Sequence, residues 1–441
     1  MMKTKYLGLL ALSASLFAAC NSANKNDQTA DTVRQETGVD TLNLPAPDTT
    51  ASKNNFSKVI DWPANKMPVA PAGFVVSKFA DGMKSPRNIV IAPNGDILVA
   101  LSNSERSTKE KIANAISGKA KSEVGGKSVN TIMLFRDANQ DGKPELTSTF
   151  LSGLNQPYGM AFIGNSFYVA NTDGLWMFPY KSGDVKITGE GKKILSLPAG
   201  GYNNHWTRNL LVNKANDKIY ISVGSGSNVG ENGMEHEVRR AAILEVNPDG
   251  TGERTFASGL RNPVGMDWSP TTNRLWTAVN ERDGLGDDLV PDYITSVKDG
   301  GFYGWPYAYF GQHEDPRLKG VNPELVKKTL VPDVAVGSHT ASLGLAFYTS
   351  NKFPAKYQGG AFIGQHGSWN RSELTGYKVA FVPFKDGKPT GPMQDFLTGF
   401  IADGQKSEVY GRPVGVAVTT DGALLVADDV SGVIWRVFVA K

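Results

Sequence analysis

The sequence predicts an all-β chain folded as a six-bladed β-propeller with a small inserted helix. Two observations carry this reading: a strand-pair repeat that recurs six times, and a near absence of long helical periodicity. In each copy a Pro or Arg leads into a short apolar run, a polar turn follows, and a second apolar strand returns. The first halves are Pro86-Arg87-Asn88-Ile89-Val90-Ile91, Pro157-Tyr158-Gly159-Met160-Ala161-Phe162, Trp206-Thr207-Arg208-Asn209-Leu210-Leu211-Val212, Pro263-Val264-Gly265-Met266-Asp267-Trp268, Ser342-Leu343-Gly344-Leu345-Ala346-Phe347 and Pro413-Val414-Gly415-Val416-Ala417-Val418. Their partners begin near Asp96, Phe167, Lys218, Arg274, Gly360 and Ala423. Multi-stranded units recurring roughly every 50 to 80 residues are propeller blades, and a sandwich does not repeat one inner strand pair in this way. The one helical pattern, Glu105 to Lys121, is rich in Lys and Ala with Ile112 and Ile116 at helical spacing. It falls between blade strands and reads as a surface helix or lid without chemistry of its own.

Ahead of the propeller, Lys3 and Lys5, an apolar run from Tyr6 to Phe17, and Ala18-Ala19-Cys20 read as an export signal. Small residues before a lone cysteine resemble a bacterial lipoprotein signal, with Cys20 the lipidation site; the alternative is an ordinary signal peptide with an incidental Cys. The expected organisation is residues 1–20 as signal, 21–55 as a polar flexible tether and 56–441 as the propeller. The expected location is the bacterial cell envelope, on the periplasmic or outer-membrane face, held to the membrane by the lipid alone.

Across 441 residues there is one cysteine, which excludes intramolecular disulfides, thiolate zinc clusters and covalent haem attachment. Any redox chemistry therefore uses a cofactor held without thiols. A formal net charge of +3 advertises no nucleic-acid partner.

Four arginines, Arg87, Arg208, Arg261 and Arg412, stand at the starts of inner strands in different copies. Converging on one channel, they call for an anion, because like charges in a confined site repel; alternatively each pairs with a carboxylate such as Asp267, Glu281 or Asp428. His205, three residues before Arg208, is either a general base or a member of a hydrogen-bond network. The stretch from Gly259 to Pro306 joins an Arg261-Asn262 pair to a Gly/Asp turn at Asp283-Gly284, a set suited to an anion bridged by a hard cation that takes carbonyl oxygens. Asp137, Asn139 and Asp141, followed by Gly142, match the start of a Ca²⁺ loop without its closing Glu; they form either a calcium-stapled hairpin or a metal-free Asx turn. His339, His366, Trp369 and Arg371 stand in Gly-rich segments beside blade strands, and Trp305 or Trp369 suits stacking on a flat ligand.

Together, His205-x-x-Arg208-x-Leu210, Gly259-Leu260-Arg261-Asn262-Pro263, Asp287-Asp288, Gly301-x-Tyr303-Gly304-Trp305-Pro306, Gly364-Gln365-His366-Gly367-Ser368-Trp369-Asn370-Arg371 and Gly411-Arg412-Pro413 resemble the soluble pyrroloquinoline quinone (PQQ) dependent sugar dehydrogenases, in particular the L-sorbosone dehydrogenase branch. The resemblance runs from about Phe74 to the end. It implies PQQ on the propeller axis, bound through Ca²⁺, and oxidation of a sugar, polyol or aldehyde. By resemblance, His205 takes the substrate hydroxyl proton while hydride passes to the quinone. Arg261 and Asn262 meet quinone and substrate, Arg412 a PQQ carboxylate, and the Asp283-Gly284 turn gives carbonyls to Ca²⁺; Arg87, Arg208, His366 and Arg371 complete the cofactor set. Electrons leave to a separate acceptor, since no haem motif is present. One departure stands out: where the sugar-oxidising branch places an Asp that orients the His, this chain reads Gly224-Ser225-Gly226-Ser227. The competing readings are a calcium-dependent lactonase on the same architecture, which needs axial carboxylates, and a non-catalytic envelope propeller that binds a glycan or protein.

Overall fold

The computed structural model describes residues 43–50, 53–105, 107–123 and 127–440. The export signal, Cys20 and the tether up to residue 42 lie outside the described residues. Among those described, no helix is long and apolar enough to cross a membrane.

The backbone forms six principal sheets, each starting with one of the six repeated inner strands. Sheet I holds Pro86–Ile91, Ile97–Leu101, Thr131–Arg136 and Leu146–Leu151; sheet II runs from Gly159–Ile163 to Lys192–Ser196; sheet III from Leu210–Val212 to Arg254–Ser258, with Gly301–Phe302 added in parallel. Sheet IV runs from Pro263–Trp268 to Val334–Ser338, and sheet V from Ala346–Phe347 to Gln394–Leu397. Sheet VI joins both ends of the fold: Pro413–Val418, Leu424–Asp428 and Val433–Val439 are completed by the early strand Phe74–Ala80, antiparallel to the last. The first strands touch in sequence from sheet I through sheet VI and back to sheet I, and all six line one channel. This is the closed ring of a β-propeller, which leaves no exposed end between first and last sheets.

The repeat is legible in the contacts at the axis. A Cβ on Gly159 would sit 2.5 Å from the Leu210 nitrogen, one on Gly344 2.1 Å from the Val414 oxygen, and one on Gly415 2.5 Å from the Arg87 oxygen. Neighbouring inner strands therefore approach too closely for a side chain. In sheets I and III an Asn fills the equivalent place and bonds across to the next strand: Asn88 Nδ2 donates to Tyr158 O (3.0 Å) and Asn209 Nδ2 to Val264 O (2.8 Å). Tyr158, Val264, Leu343 and Val414 form a small apolar plug at this level.

The predicted helix is shorter than its pattern. It spans Thr108–Ser117, begins with a capping box between Ser107 and Glu110, stops at Gly118 (φ 84°), and continues as a 3₁₀ turn, Lys119–Ser122. Ile112 and Ile116 are exposed. Of the expected tether, residues 43–50 and 53–55 are described, and several of them touch the propeller. Leu44 packs against a core cluster, Asp48 N donates to Leu285 O (3.0 Å) and Asn55 N to Trp369 O (2.8 Å). The half-buried Leu44 and these two backbone bonds hold the described parts of a segment whose composition alone suggests disorder.

Candidate functional site

A funnel of about 1250 Å³, its solvent-open mouth included, lies where the inner strands begin. Its wall includes Arg87, His205, Arg261, Asn262, Asp283, His339, His366, Trp369, Arg412 and Asp429. The inserted segment, read from sequence as chemically silent, supplies Lys119, Ser122 and Glu123 to the same wall.

His205 is buried at the start of sheet III. Its Nδ1 lies 2.9 Å from Ser225 O and 3.0 Å from Ser225 Oγ, and that hydroxyl donates to Ser227 O (2.6 Å). Both oxygens thus act as acceptors, which fixes the proton on Nδ1 and leaves Nε2 unprotonated. Among the described residues, only Asn204 Nδ2 approaches Nε2, at 3.4 Å. Burial, reinforced by the Arg261 charge, holds the imidazole pKa well below 6.5. Ser225 therefore does the orienting that the missing Asp does elsewhere.

Arg208 corrects the sequence expectation. It is fully buried off the funnel wall, and its guanidinium donates to His205 O (2.7 Å), Thr207 O (2.8 Å), Pro198 O (2.7 Å) and Asn203 Oδ1 (3.1 Å). Four acceptors drawn from its own neighbourhood leave it fixing the His205 backbone rather than facing a ligand. Arg371 is likewise turned away, with Nη1 on Asp287 O (2.8 Å) and Nη2 on Asp288 Oδ1 (3.2 Å).

Arg261 reaches the wall with its donors spent inside the protein: Nε on Asn228 O, Nη1 on Asn280 O and Glu281 O, Nη2 on Asn228 Oδ1 and Asp283 Oδ2. It offers charge, not new hydrogen bonds. Its neighbour Asn262 is the reverse case: 4% exposed, on the wall, with Oδ1 unpartnered. Such an orphan in a buried site is costly unless a ligand meets it.

On the opposite wall Arg87 pairs with Asp429 Oδ2, which also lies 2.9 Å from His366 Nε2. Burial raises the Asp429 pKa, but His366 and Arg87 outweigh it and hold the carboxyl far below its usual range. Burial and then the Arg412 charge lower His366 to about 4. Arg87 Nε, Asp429 Oδ1 and Ser85 Oγ have no partner, so unsatisfied polar atoms gather on this wall as well. Arg412 donates to His366 O (3.0 Å), Gly367 O (3.3 Å) and Ser122 O (2.7 Å), tying the inserted segment to the rim. None of the suggested partners Asp267, Glu281 or Asp428 forms a side-chain ion pair with these arginines; Asp428 instead accepts the Arg412 backbone N–H (2.8 Å).

Within the Asp283-Gly284 turn, the Asp283 half departs from expectation. Its carbonyl at Asp283 accepts Arg282 Nε (2.9 Å), Arg282 Nη2 (2.7 Å) and Asn228 Nδ2 (3.2 Å), which exhausts two lone pairs and leaves none for a cation. The Asp283 carboxylate is what reaches the funnel, between Arg261 Nη2 (3.3 Å) and His339 Nδ1 (3.2 Å). His339 also places Nε2 2.8 Å from Gly286 O. Burial opposes its protonation, but Asp283 and this carbonyl outweigh burial and raise its pKa above 6.5.

Asp137, Asp141 and Glu145 gather their carboxylates in a hairpin of sheet I, at the end of the strands remote from the funnel. Asn139 Oδ1 accepts Asp141 N (2.8 Å), and both Asp137 oxygens accept backbone N–H groups, so the loop closes on itself as an Asx-type turn.

A TrAA12-like family model matches residues 68–292 and 322–439. The chain belongs to that family. An uncharacterized protein of Borreliella burgdorferi is 30% identical over 306 residues, covering 66% of this chain and 78% of that one. A pyrroloquinoline quinone-dependent pyranose dehydrogenase of Coprinopsis cinerea is 24% identical over 342 residues, and the match spans 45% of its length. The holo PQQ domain of pyranose dehydrogenase from Coprinopsis cinerea superposes with a TM-score of 0.68 at 19% identity, covering 87% of this chain and 100% of that one. At that identity the TrAA12-like chain shares the fold with it.

Asp429, Ser225, Arg282 and Asn228 escaped the sequence reading. Asp428-Asp429 offered a signal, since successive side chains at a strand end face different ways. Ser225 lay in the departure at Gly224-Ser225-Gly226-Ser227, while Arg282 and Asn228 carried no signal.

Proposed function

We propose that this chain is a quinoprotein on a six-bladed propeller, a PQQ- and Ca²⁺-dependent dehydrogenase of a sugar or related polyol or aldehyde. The observation that carries the reading is the His205 imidazole, fixed by Ser225 with its unprotonated Nε2 left for the funnel. When bound, the quinone supplies a two-electron acceptor for the hydrogen on the substrate's carbinol carbon. His205 Nε2 takes the hydroxyl proton, and burial keeps it neutral for that purpose at neutral pH. Asn262 Oδ1 finds its partner in the ligand. Arg87, Arg261 and Arg412 hold the funnel positive around cofactor carboxylates.

Formal charge supports the cation. Four cationic side chains on the wall, Arg87, Lys119, Arg261 and Arg412, face three carboxylates, Glu123, Asp283 and Asp429. A surplus of one positive charge does not balance a tricarboxylate quinone; a divalent cation closes the difference. The Asp283 carboxylate, rather than the turn's carbonyl, is the chain's own group to hold that cation, with Arg282 and Asn228 fixing the turn. Asp137, Asn139 and Asp141, with Glu145 beside them, are the group for a second, structural Ca²⁺, since an oxygen that accepts one N–H keeps a lone pair for a metal.

A lactonase is disfavoured because it needs a cluster of axial carboxylates for its calcium, and the one such cluster among the described residues, Asp137, Asp141 and Glu145, lies away from the funnel. We further place the protein in the cell envelope, exported and lipid-anchored at Cys20, passing electrons to a separate acceptor. The test adds PQQ with Ca²⁺ to the purified chain and follows quinone absorbance and dye reduction across a sugar panel. Quinone binding with sugar-dependent reduction supports the reading; absence of both leaves a non-catalytic glycan- or protein-binding propeller.

A further inference from the structure

The segment at residues 53–57 crosses the funnel-side rim and converges on one loop. Asn55 N donates to Trp369 O (2.8 Å), Asn55 Nδ2 to Ser372 O (2.9 Å), and Asn370 Nδ2 to Asn54 Oδ1 (3.0 Å). The Phe56 ring lies parallel to Trp369, with centroids 5.8 Å apart and planes 3° apart. The other end of the segment is pinned to sheet VI's approach: Ser407 Oγ donates to Asn55 Oδ1 (2.6 Å), and Lys58–Val59 pairs in parallel with Glu408–Val409. The loop it grips is part of the wall. Trp369 lines the funnel with Lys119 Nζ 5.2 Å from its ring, and Asn370 Oδ1 accepts Gly284 N (3.0 Å), next to Asp283. None of these contacts completes a strand pair of the ring, so the six sheets do not require them.

We infer that Asn54, Asn55 and Phe56 are positioning residues for the site: the segment leading into the propeller presses Trp369 against the funnel and, through Asn370, steadies the Asp283-Gly284 turn. An aromatic ring held by a parallel neighbour meets a flat or ring-shaped ligand at low ordering cost, with the Lys119 ammonium beside it as part of the same surface. The inference rests on the funnel being the sugar and quinone site. Its ligand-free arm does not.

The experiment uses the full chain with Phe56→Ala, Phe56→Tyr as the conservative variant, and wild type. Hydrogen exchange without ligand is expected to rise about tenfold at residues 283–287 and 368–372 in Phe56→Ala, while the strands Ala361–Gln365 and Lys378–Val382 stay unchanged. With PQQ, Ca²⁺ and a sugar that supports turnover, KM is expected to rise about five- to tenfold with kcat within about twofold, and Phe56→Tyr to restore both readouts. Unchanged exchange in the two rim segments overturns the inference, as does a rise spread evenly over the core strands, which marks general destabilisation. If wild type binds no quinone, the funnel reading fails on its own, while the exchange data still decide whether the segment positions Trp369.

Discussion

The Nδ1 atom of His205 lies 2.9 Å from the carbonyl oxygen of Ser225 and 3.0 Å from its hydroxyl. The hydroxyl proton is committed to Ser227 O, so the carbonyl and the hydroxyl oxygen both accept from the imidazole. A main-chain carbonyl survives side-chain replacement. Ser225→Ala is therefore expected to lower kcat by less than about tenfold, well short of the roughly 10²- to 10⁴-fold expected from losing a general base. Steady-state rates of the two variants, Ser225→Ala and His205→Gln, check the ordering.

Gly224 stands between the two residues that matter most. A Cβ there would lie 2.4 Å from Asn262 Oδ1 and 2.6 Å from His205 Cβ. Gly224→Ala is expected to displace both, costing about 1–3 kcal/mol of stability and most of the turnover. Urea unfolding and dye reduction measured together check this; full activity in a stable variant would contradict the placement.

Asp429 serves two partners, Arg87 and His366, in a nearly closed environment. Asp429→Ala leaves the Arg87 charge uncompensated and is expected to cost about 3–5 kcal/mol, read as a lowered melting temperature. Added PQQ should recover part of that loss, because its carboxylates supply the missing negative charge.

His366 makes stability depend on pH. Its folded pKa is about 4 against an ordinary 6.5, so above 6.5 it is neutral folded and unfolded alike. As pH falls from 6.5 toward 4, the unfolded chain takes up a proton that the folded chain refuses. Its contribution is thus complete above 6.5 and lost at up to about 1.4 kcal/mol per pH unit within that window. His205, also depressed, adds in the same direction. Urea midpoints at pH 7 and pH 5 are expected to differ less in His366→Gln than in wild type.

The ring of sheets was legible because its cause is local: the repeated Gly or Asn answers a close approach of inner strands, and alternation marks the buried strands. His205 and Asn262, named from sequence, both line the funnel, although the groups that surround them, Ser225 and Gly224, come from a strand end well removed in sequence. The destinations of the arginines were not legible. Arg87 and Arg208 each precede an Asn in an inner strand, yet one reaches Asp429, more than three hundred residues away, and the other is caged by carbonyls of its own approach loop. The direction of a long side chain depends on which acceptor the fold brings near, and sequence spacing does not carry that. The Asp283 carbonyl escaped for the same reason, since Arg282 beside it and Asn228 from another sheet had to fold onto it first. Phe56, at the first position of the expected propeller, carried no sign in sequence that its ring stacks on Trp369.

In the proposed function, quinone binding by the funnel and proton removal by His205 are separable properties of one site. Wild type and His205→Ala, both as full chain, should be titrated with PQQ in the presence of Ca²⁺ and then assayed for sugar-dependent dye reduction. Quinone affinity equal within about threefold and a kcat at least about a hundredfold lower in His205→Ala are expected. Equal turnover in the two proteins, or no quinone binding by wild type, would contradict the proposed function.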